Sequence, residues 1–118
     1  MNEVSERIIG CAYKVSNTLG YGFLEKVYEN ALAFEIRESG LRVAQQQPVM
    51  VRYHGRVVGE YVTDLLVEDF VLAELECVTA LDPSHVAQCL NYLKATELRL
   101  CLLLDFGRAR IEVRRVIL

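Results

Sequence analysis

The chain has 118 residues, 53% of them apolar and 25% charged, which does not fit a disordered protein and suits one globular domain. Its net charge of −3 and pI near 5.4 do not favour a nucleic-acid coat protein, which would usually be basic. The mean hydropathy of +0.21 is high for so short a chain, so we expect some apolar surface to meet another subunit in a homo-oligomer.

No apolar run approaches the ~18 residues of a membrane span, and the charged N-terminal stretch does not resemble a signal peptide. We therefore expect a cytoplasmic protein with no membrane partner. The cysteines, Cys11, Cys77, Cys89 and Cys101, form no CxxC pair. Buried free thiols are the main interpretation, and an iron–sulfur site built from all four is the alternative.

Two helices are predicted at the start of the chain. Apolar residues recur at steps of three and four from Val4 to Leu19, which predicts an amphipathic helix over residues 3–19. The segment Gly20-Tyr21-Gly22 breaks this helix. A second helix is predicted from Phe23 to Ser39, with Gly40 as its stop.

Segments rich in β-branched residues follow. Residues 41–53 contain one or two strands, and Pro48 within them indicates an edge or a kink. The dipeptide His54-Gly55 is a predicted turn. Residues 57–67 and 70–78 are predicted strands joined so tightly that they must be antiparallel.

The last third adds a helix and two strands. Asp82 is the predicted N-cap of a helix with Pro83 at its first position, ending near Ala95. A strand over residues 98–106, a turn at Gly107-Arg108 and a strand over residues 109–118 complete the order ααβββαββ, a mixed α/β domain.

Three carboxylates, Asp64, Glu74 and Glu76, interrupt apolar strands. Glu74 and Glu76 are two positions apart and should share a face. A three-residue turn centred on Asp69 would place Asp64 directly opposite Glu74 on that face, whereas a two-residue turn at Glu68-Asp69 would place them on opposite faces. Either an arginine at a sheet edge pairs with a glutamate, or Asp64 and Glu74 bind a hard divalent cation.

The predicted third helix adds a polar stripe. His85, Gln88 and Tyr92 are spaced so that they share one face, separate from the apolar stripe of Val86, Leu90 and Leu93. This face would border a cleft. A merely solvated helix face is the alternative for His85 and Tyr92. Glu25 follows the glycine-rich break and lies in the first turn of the second predicted helix. The alternative for Glu25 is that it only stabilises the helix N-terminus through the helix dipole.

Together these segments resemble a known family. GFLEKVYENAL carries Gly22, Glu25 and Tyr28, the signature of the GxxExxY family, a branch of the PD-(D/E)xK nuclease superfamily. The central strands and the segment HVAQCLNYLKATELRLCLLLDFG also resemble that family, over roughly residues 4–118. The resemblance implies a restriction-endonuclease-like mixed sheet flanked by helices, a Mg²⁺ or Mn²⁺ cofactor and a nucleic-acid substrate. It also implies the following site residues: Glu25, Asp64, Glu74, position 76, Gln88 and Tyr92.

The sequence departs from that family at Glu76, where the motif expects lysine. A positioned cation of this kind is worth ~10²–10⁴ in rate, and a glutamate repels the substrate phosphate. Neither Lys26 nor Lys94 shares the predicted polar face. Glu76 could instead act as a further metal ligand. We therefore weigh an impaired or inactive nuclease fold that binds or self-assembles against an active metal-dependent nuclease.

The final strand is the predicted contact between subunits. Ile111 and Val113 alternate with charged residues, and the tail then becomes apolar at Val116-Ile117-Leu118. Such a tail should dock either on its own domain or on a neighbouring subunit.

Overall fold

The computed structural model describes the backbone of residues 2–118 and the side chains of residues 3–118. Its elements are helices α1 (Asn2–Leu19) and α2 (Glu25–Glu38), strands β1 (Val43–Tyr53), β2 (Arg56–Val67) and β3 (Val71–Glu76), helix α3 (Pro83–Thr96), and strands β4 (Leu100–Asp105) and β5 (Glu112–Ile117). This confirms the predicted order ααβββαββ and the mixed α/β class.

The strands form one sheet in the order β1-β2-β3-β4-β5. β3 and β4 are parallel and are connected through α3, whereas the other neighbouring pairs are antiparallel. β1 and β5 are the edges, so Pro48, which pairs with Val62, lies in an edge strand, where proline is tolerated.

Helices cover both faces of the sheet. α1 and α2 pack on one face, where Ile8 and Leu32 contribute to a core that includes Leu102 of β4. α3 covers the other face, where Leu93 and Leu103 belong to a second core. Because both faces of β3 and β4 are covered, these strands are largely apolar: the exceptions are Glu74 and Glu76 in β3 and Asp105 in β4.

The β2–β3 turn fixes the register of the two strands. Val67 pairs with Val71, so the turn has three residues and is centred on Asp69. The pairing continues to Leu65 and Ala73. This register places Asp64 opposite Glu74, and it is the first of the two alternatives that the sequence left open.

Several strand boundaries differ from the prediction by one to three residues, among them the end of β3 and the start of β5. β3 ends at Glu76 rather than Val78, because the Val78 N–H donates to Oδ1 of Asp105 at 3.1 Å instead of to a neighbouring strand. β5 begins at Glu112, three residues later than predicted.

The side chains of β2 do not alternate regularly along its whole length. Leu65 packs in the core against α1 and α2, yet Tyr61, four positions earlier, has its ring centroid 5.9 Å from that of Tyr92 on α3. The irregular point lies beside Asp64: in β1, Gln46 stands between the pairs Gln45↔Leu65 and Gln47↔Thr63 and has a φ of 54°. The side of the sheet on which the Asp64 side chain lies must therefore be read from its contacts and not from strand alternation.

In the described part of the chain, no helix is long and apolar enough to cross a membrane.

Candidate carboxylate site and its helices

Asp64 and Glu74 are linked by one direct hydrogen bond and by a second through the neighbouring Leu75. Oε2 of Glu74 accepts from the Asp64 N–H, and Oδ2 of Asp64 accepts from the Leu75 N–H, both at 2.8 Å. Regular pairing of β2 with β3 ends one residue earlier, at Leu65 and Ala73. Beyond that pair, the two carboxyl groups accept hydrogen bonds from the backbone of the opposite strand. These bonds hold the two carboxyl groups close together.

Glu74 is a buried acid with only 5% of its surface exposed. Burial, followed by the negative charge of Asp64, raises the pKa of Glu74 to about 8, against hydrogen bonds from the Thr63 hydroxyl and the Asp64 N–H. Burial also raises the pKa of Asp64, and the charge of Glu29 adds to this effect. A bound cation would favour the ionised form of both carboxyl groups.

The glycine-rich break before α2 explains how Glu25 is presented. Gly20 and Gly22 have φ values of 71° and 114°, a backbone region that residues with a side chain rarely adopt. The fully buried Tyr28 fixes the backbone of this break. Its hydroxyl donates to the Gly20 carbonyl at 2.8 Å and accepts from the Phe23 N–H at 3.3 Å. Tyr28 is therefore a structural member of the motif, and Glu25 opens the helix.

Glu25 lies close to the other acids. Burial raises its pKa, and the charge of Asp64 is the next largest cause. The charge of Glu25 in turn raises the pKa of Glu76, after burial of Glu76 itself. The structure thus brings Glu25, Asp64, Glu74 and Glu76 into one acidic neighbourhood between α2 and α3.

Glu76 faces His85 rather than a cation of fixed charge. Oε1 of Glu76 lies 3.7 Å from Nε2 of His85, while Nδ1 of His85 accepts from the Asp82 N–H at 3.0 Å. This second bond is half of a capping box in which Asp82 also accepts from the Ser84 N–H, so the predicted N-cap is confirmed. Because Nδ1 is an acceptor, a neutral His85 carries its proton on Nε2, toward Glu76.

Gln88 and Tyr92, which share the predicted polar face of α3 with His85, are paired with each other. Nε2 of Gln88 donates to the Tyr92 hydroxyl at 2.7 Å. Tyr92 is only 5% exposed and packs in the core with Leu93, because its ring is apolar and only the hydroxyl needs a polar partner. Burial raises the pKa of Tyr92, and the charges of Glu74 and Asp64 raise it further, which places the hydroxyl near the carboxylates.

A polar network on α2 was missed from the sequence. Glu29 is only 4% exposed and accepts from Lys26 at 2.9 Å and from the amides of Gln45 and Gln46 at 2.8 Å. The Gln46 amide also lies 3.4 Å from Oδ1 of Asp64. Lys26 thus approaches the site through Glu29, contrary to the expectation that it turns away. The run of three glutamines in β1 is the sequence feature from which this polar network could have been predicted.

One alternative from the sequence, a glutamate paired with an arginine at a sheet edge, is not seen in the described residues. Arginines pair with Glu68, Asp69 and Glu112, and no arginine pairs with Glu74 or Glu76.

The cysteines do not form one cluster either. Cys11 and Cys77 lie on the α1–α2 side of the sheet, whereas Cys89 and Cys101 are buried on the α3 side. The sheet therefore separates the four thiols, and an iron–sulfur site built from all of them is wrong.

The donor set suits a hard cation held by two protein ligands. No group of three or more His, Cys, Asp or Glu side chains among residues 3–118 is arranged to hold a metal. Asp64 and Glu74 are therefore the candidate ligands, and Glu76 as a further ligand stays a prediction. The Leu75 and Asp64 N–H groups engage Oδ2 of Asp64 and Oε2 of Glu74. A cation would therefore be held through Oε1 of Glu74 and through Oδ1 of Asp64, which lies 3.4 Å from the Gln46 amide. Mg²⁺ is commonly bound by one or two carboxylates with water completing its shell, so these residues fit it.

Comparisons with known proteins agree with this architecture. The chain matches the model of the PD-(D/E)XK nuclease superfamily over residues 2–116. No curated protein matches it. It is similar to the crystal structure of an alkaline exonuclease (LHK-Exo) from Laribacter hongkongensis, with a TM-score of 0.52 and 15% identity, covering 99% of this chain and 82% of that chain. The predicted nuclease fold is confirmed, and the narrower GxxExxY assignment stays a prediction.

Proposed function

Since the chain belongs to the PD-(D/E)XK nuclease superfamily, we propose that it is a nuclease-fold protein with a degenerate site. It binds a divalent cation and nucleic acid, hydrolyses phosphodiester bonds weakly or not at all, and acts as a binding homo-oligomer. The observation that carries this proposal is Glu76, an acid beside His85 where the resemblance calls for a lysine.

Electrostatics support impaired chemistry. Glu25, Asp64, Glu74 and Glu76 all have raised pKa values, chiefly because of burial. Neighbouring carboxylate charges add to this effect, and for Asp64 that charge is the one on Glu29. Among residues 3–118, no lysine or arginine is ion-paired with any of these four side chains. A phosphate entering here meets repulsion, and no fixed positive charge would stabilise the charge that develops during hydrolysis. Losing such stabilisation costs ~10²–10⁴ in rate.

Asp64 and Glu74 would hold Mg²⁺ or Mn²⁺, which supplies polarisation of a phosphate oxygen and activation of water. The surrounding residues prepare these ligands. The Thr63 hydroxyl and the Asp64 N–H orient the Glu74 carboxyl group, and the Leu75 N–H orients Asp64. Because the pKa of Glu74 is about 8, its proton must leave before a metal binds at neutral pH.

Substrate contacts fall to the α3 side chains. The Gln88 amide and the Tyr92 hydroxyl adjoin the carboxylates and are directed at each other. His85 is already engaged with Asp82 and lies near Glu76. We therefore assign substrate contact first to Gln88 and Tyr92, and to His85 only through its effect on Glu76.

The homo-oligomer has a different candidate surface from the one the sequence suggested. Val116 is buried in its own domain, while Ile117 and Leu118 remain exposed. The β1–β2 hairpin exposes more apolar surface, including Val58 and Val62. The edge of β2 before Asp64 also has no β3 partner, and an open apolar strand edge favours pairing with another chain.

The second candidate function is an active metal-dependent nuclease, which the position of Lys26 favours. Its ammonium is held by Glu29, and its charge lowers the pKa of Asp64. A shift of this ammonium toward a bound phosphate would supply the cation missing at position 76.

A cleavage assay separates the two candidates. Labelled single- and double-stranded DNA and RNA are incubated with Mg²⁺ or Mn²⁺ and the wild-type chain, Asp64→Ala or Lys26→Ala. The proposal expects cleavage within about tenfold of the Asp64→Ala background. Robust metal-dependent cleavage that disappears in both variants would establish the active nuclease instead.

A further inference from the structure

A groove adjoins the carboxylate site, and most of the residues that line it take no part in the chemistry described above. It lies between α3 and the β1–β2 hairpin and has a volume of about 850 Å³. Gln88 and Tyr92 line it, so it leads directly away from the carboxylates. We propose that this groove binds a short single-stranded segment of nucleic acid. The inference rests on the proposed function and specifies its substrate class.

An exposed aromatic ring lines the groove. Tyr61 is 53% exposed, and its ring centroid lies 5.9 Å from that of Tyr92, at an interplanar angle of 46°. One neighbour therefore steadies the ring while much of its surface stays open. Aromatic rings in this setting stack on nucleic-acid bases, whatever the base identity.

The charge of the groove is opposite to that of the neighbouring site. Its charged residues are Arg52, Lys94 and Glu97, which give a net positive lining in a chain of net charge −3. Arg52 and Lys94 are exposed and take part in no ion pair among residues 3–118. Both cations are thus free to contact phosphates, which the acidic cluster would repel.

The wall formed by α3 favours unpaired bases. Gln88 and Asn91 are three residues apart on the helix and both line the groove. Their amides can donate to and accept from base edges, but only where those edges are not already paired. A stacking ring opposite amides, with cations alongside, is the chemistry of single-strand recognition.

Fluorescence anisotropy of labelled dT and U hexanucleotides tests this inference. Ca²⁺ is present in place of Mg²⁺, and each variant is first shown by circular dichroism to be folded. We expect Tyr61→Ala to weaken binding about tenfold, and Lys94→Glu to weaken it and flatten its salt dependence. Binding of either oligonucleotide supports the groove, and the difference between them reports the contribution of the 2′-hydroxyl.

Matched controls lie outside the groove. Tyr53→Ala removes another exposed tyrosine from the same hairpin, and Lys14→Glu reverses another exposed lysine. Both should bind as the wild type does. No binding by the wild type, equal losses in the control variants, or a Tyr61→Ala variant that changes only the solution mass would overturn the inference.

Manganese titration of the same proteins keeps the two proposals apart. If Mn²⁺ binds and the hexanucleotides do not, the groove fails while the metal site stands. If the groove variants lower hexanucleotide binding and Mn²⁺ does not bind, the groove stands while the proposed metal site fails.

Discussion

Asp64 and Glu74 each accept a hydrogen bond from the strand on which the other lies. The Asp64 N–H donates to Glu74, and the Leu75 N–H donates to Asp64. Each carboxyl group is therefore oriented by the backbone, independently of any metal. This arrangement couples three properties of the site: its geometry, the protonation of Glu74 and the stability of the β2–β3 junction.

Metal affinity should increase with pH. The pKa of Glu74 is about 8, because of burial and then the charge of Asp64, so protons compete with a cation throughout the neutral range. We expect the Mn²⁺ dissociation constant to fall by up to about tenfold per pH unit from pH 6 to 8, with release of up to one proton. Calorimetry in buffers of different ionisation enthalpy measures both quantities.

Asp64→Asn and Glu74→Gln should each weaken Mn²⁺ binding, and Glu74→Gln should also abolish the linked proton release. Glu60→Gln changes an exposed glutamate on β2 and serves as the control. A pH-independent affinity in the wild type would contradict Glu74 as a ligand.

Glu74 should make the protein less stable as pH rises. Its pKa is about 8 in the folded protein and near 4.5 ordinarily, so between these values the folded state holds a proton that the unfolded state has lost. The stabilisation is complete below about pH 4.5 and is lost as pH rises through about 8, at no more than ~1.4 kcal/mol per pH unit. Glu74→Gln should remove this slope in urea denaturation measured in EDTA.

Glu68→Gln provides a control of opposite sign. The hydrogen bond from the Arg42 N–H is the main cause that lowers the pKa of the exposed Glu68. The contribution of Glu68 to stability is therefore present above its ordinary pKa and is lost as pH falls through its lowered pKa. This variant should keep the wild-type slope between pH 6 and 8. If Glu74→Gln keeps that slope as well, the raised pKa of Glu74 is wrong.

Local patterns in the sequence predicted most of the fold. The apolar stripe of α1, the turn at His54-Gly55 and the cap at Asp82 are encoded within a few residues, because helix faces, turns and caps depend on near neighbours. The β2–β3 turn was only narrowed to two alternatives. The residues between the strands are compatible with a two-residue and with a three-residue turn. The pairing of Val67 with Val71 in the structure shows that the turn has three residues.

The site was less predictable, because its contacts join distant parts of the chain. Lys26 reaches the site through Glu29 and Gln46, which lie on different elements. The positive φ of Gln46 breaks the period-two pattern that strand arguments assume. Tyr92 was assigned to a polar face, but its large apolar ring decides its burial.

A glycine beside the β3 exit should be intolerant of any side chain. A Cβ at Gly107 would lie 2.4 Å from the Val78 carbonyl oxygen and 2.5 Å from its nitrogen. The Asp105 carboxylate also binds both the Val78 and Gly107 N–H groups, so this backbone cannot shift freely. We expect Gly107→Ala to lower the free energy of unfolding by ~2 kcal/mol or more in urea titrations.

Gly10→Ala is the matched control. Gly10 lies within α1, and a Cβ there would have no atom within 4 Å apart from its chain neighbours and the adjacent backbone of its own helix. This substitution should stabilise the protein by ~0.5–1 kcal/mol, the ordinary helical preference for alanine. Equal effects at the two glycines would rule out the close approach at Gly107.

The solution mass should exceed that of one chain. Light scattering at micromolar concentration should give a multiple of 13.4 kDa, because the hairpin exposes Val58 at 62% and Val62 at 47%. Lysine at both positions should shift the mass toward the monomer. Ile117→Lys, at the exposed end of β5, should leave it unchanged. A wild-type mass of 13.4 kDa would exclude the homo-oligomer, and a shift with Ile117→Lys alone would move the contact to β5.

Glu76→Lys should increase metal-dependent cleavage. The change replaces the carboxylate near His85 by an ammonium and alters the local charge by two units, which lowers repulsion of the phosphate and adds a group that can stabilise developing charge. We expect at least ~10²-fold faster cleavage than in the wild type with Mn²⁺. Glu76→Gln separates the two effects, because it removes the repulsion and adds no cation, and it should give a smaller gain. Asp64→Ala in the Glu76→Lys background should abolish the new activity, which assigns it to the carboxylate site. If Glu76→Lys folds, binds Mn²⁺ and still cleaves no faster than the wild type, position 76 does not limit hydrolysis, and the defect must lie in the geometry of Asp64 and Glu74.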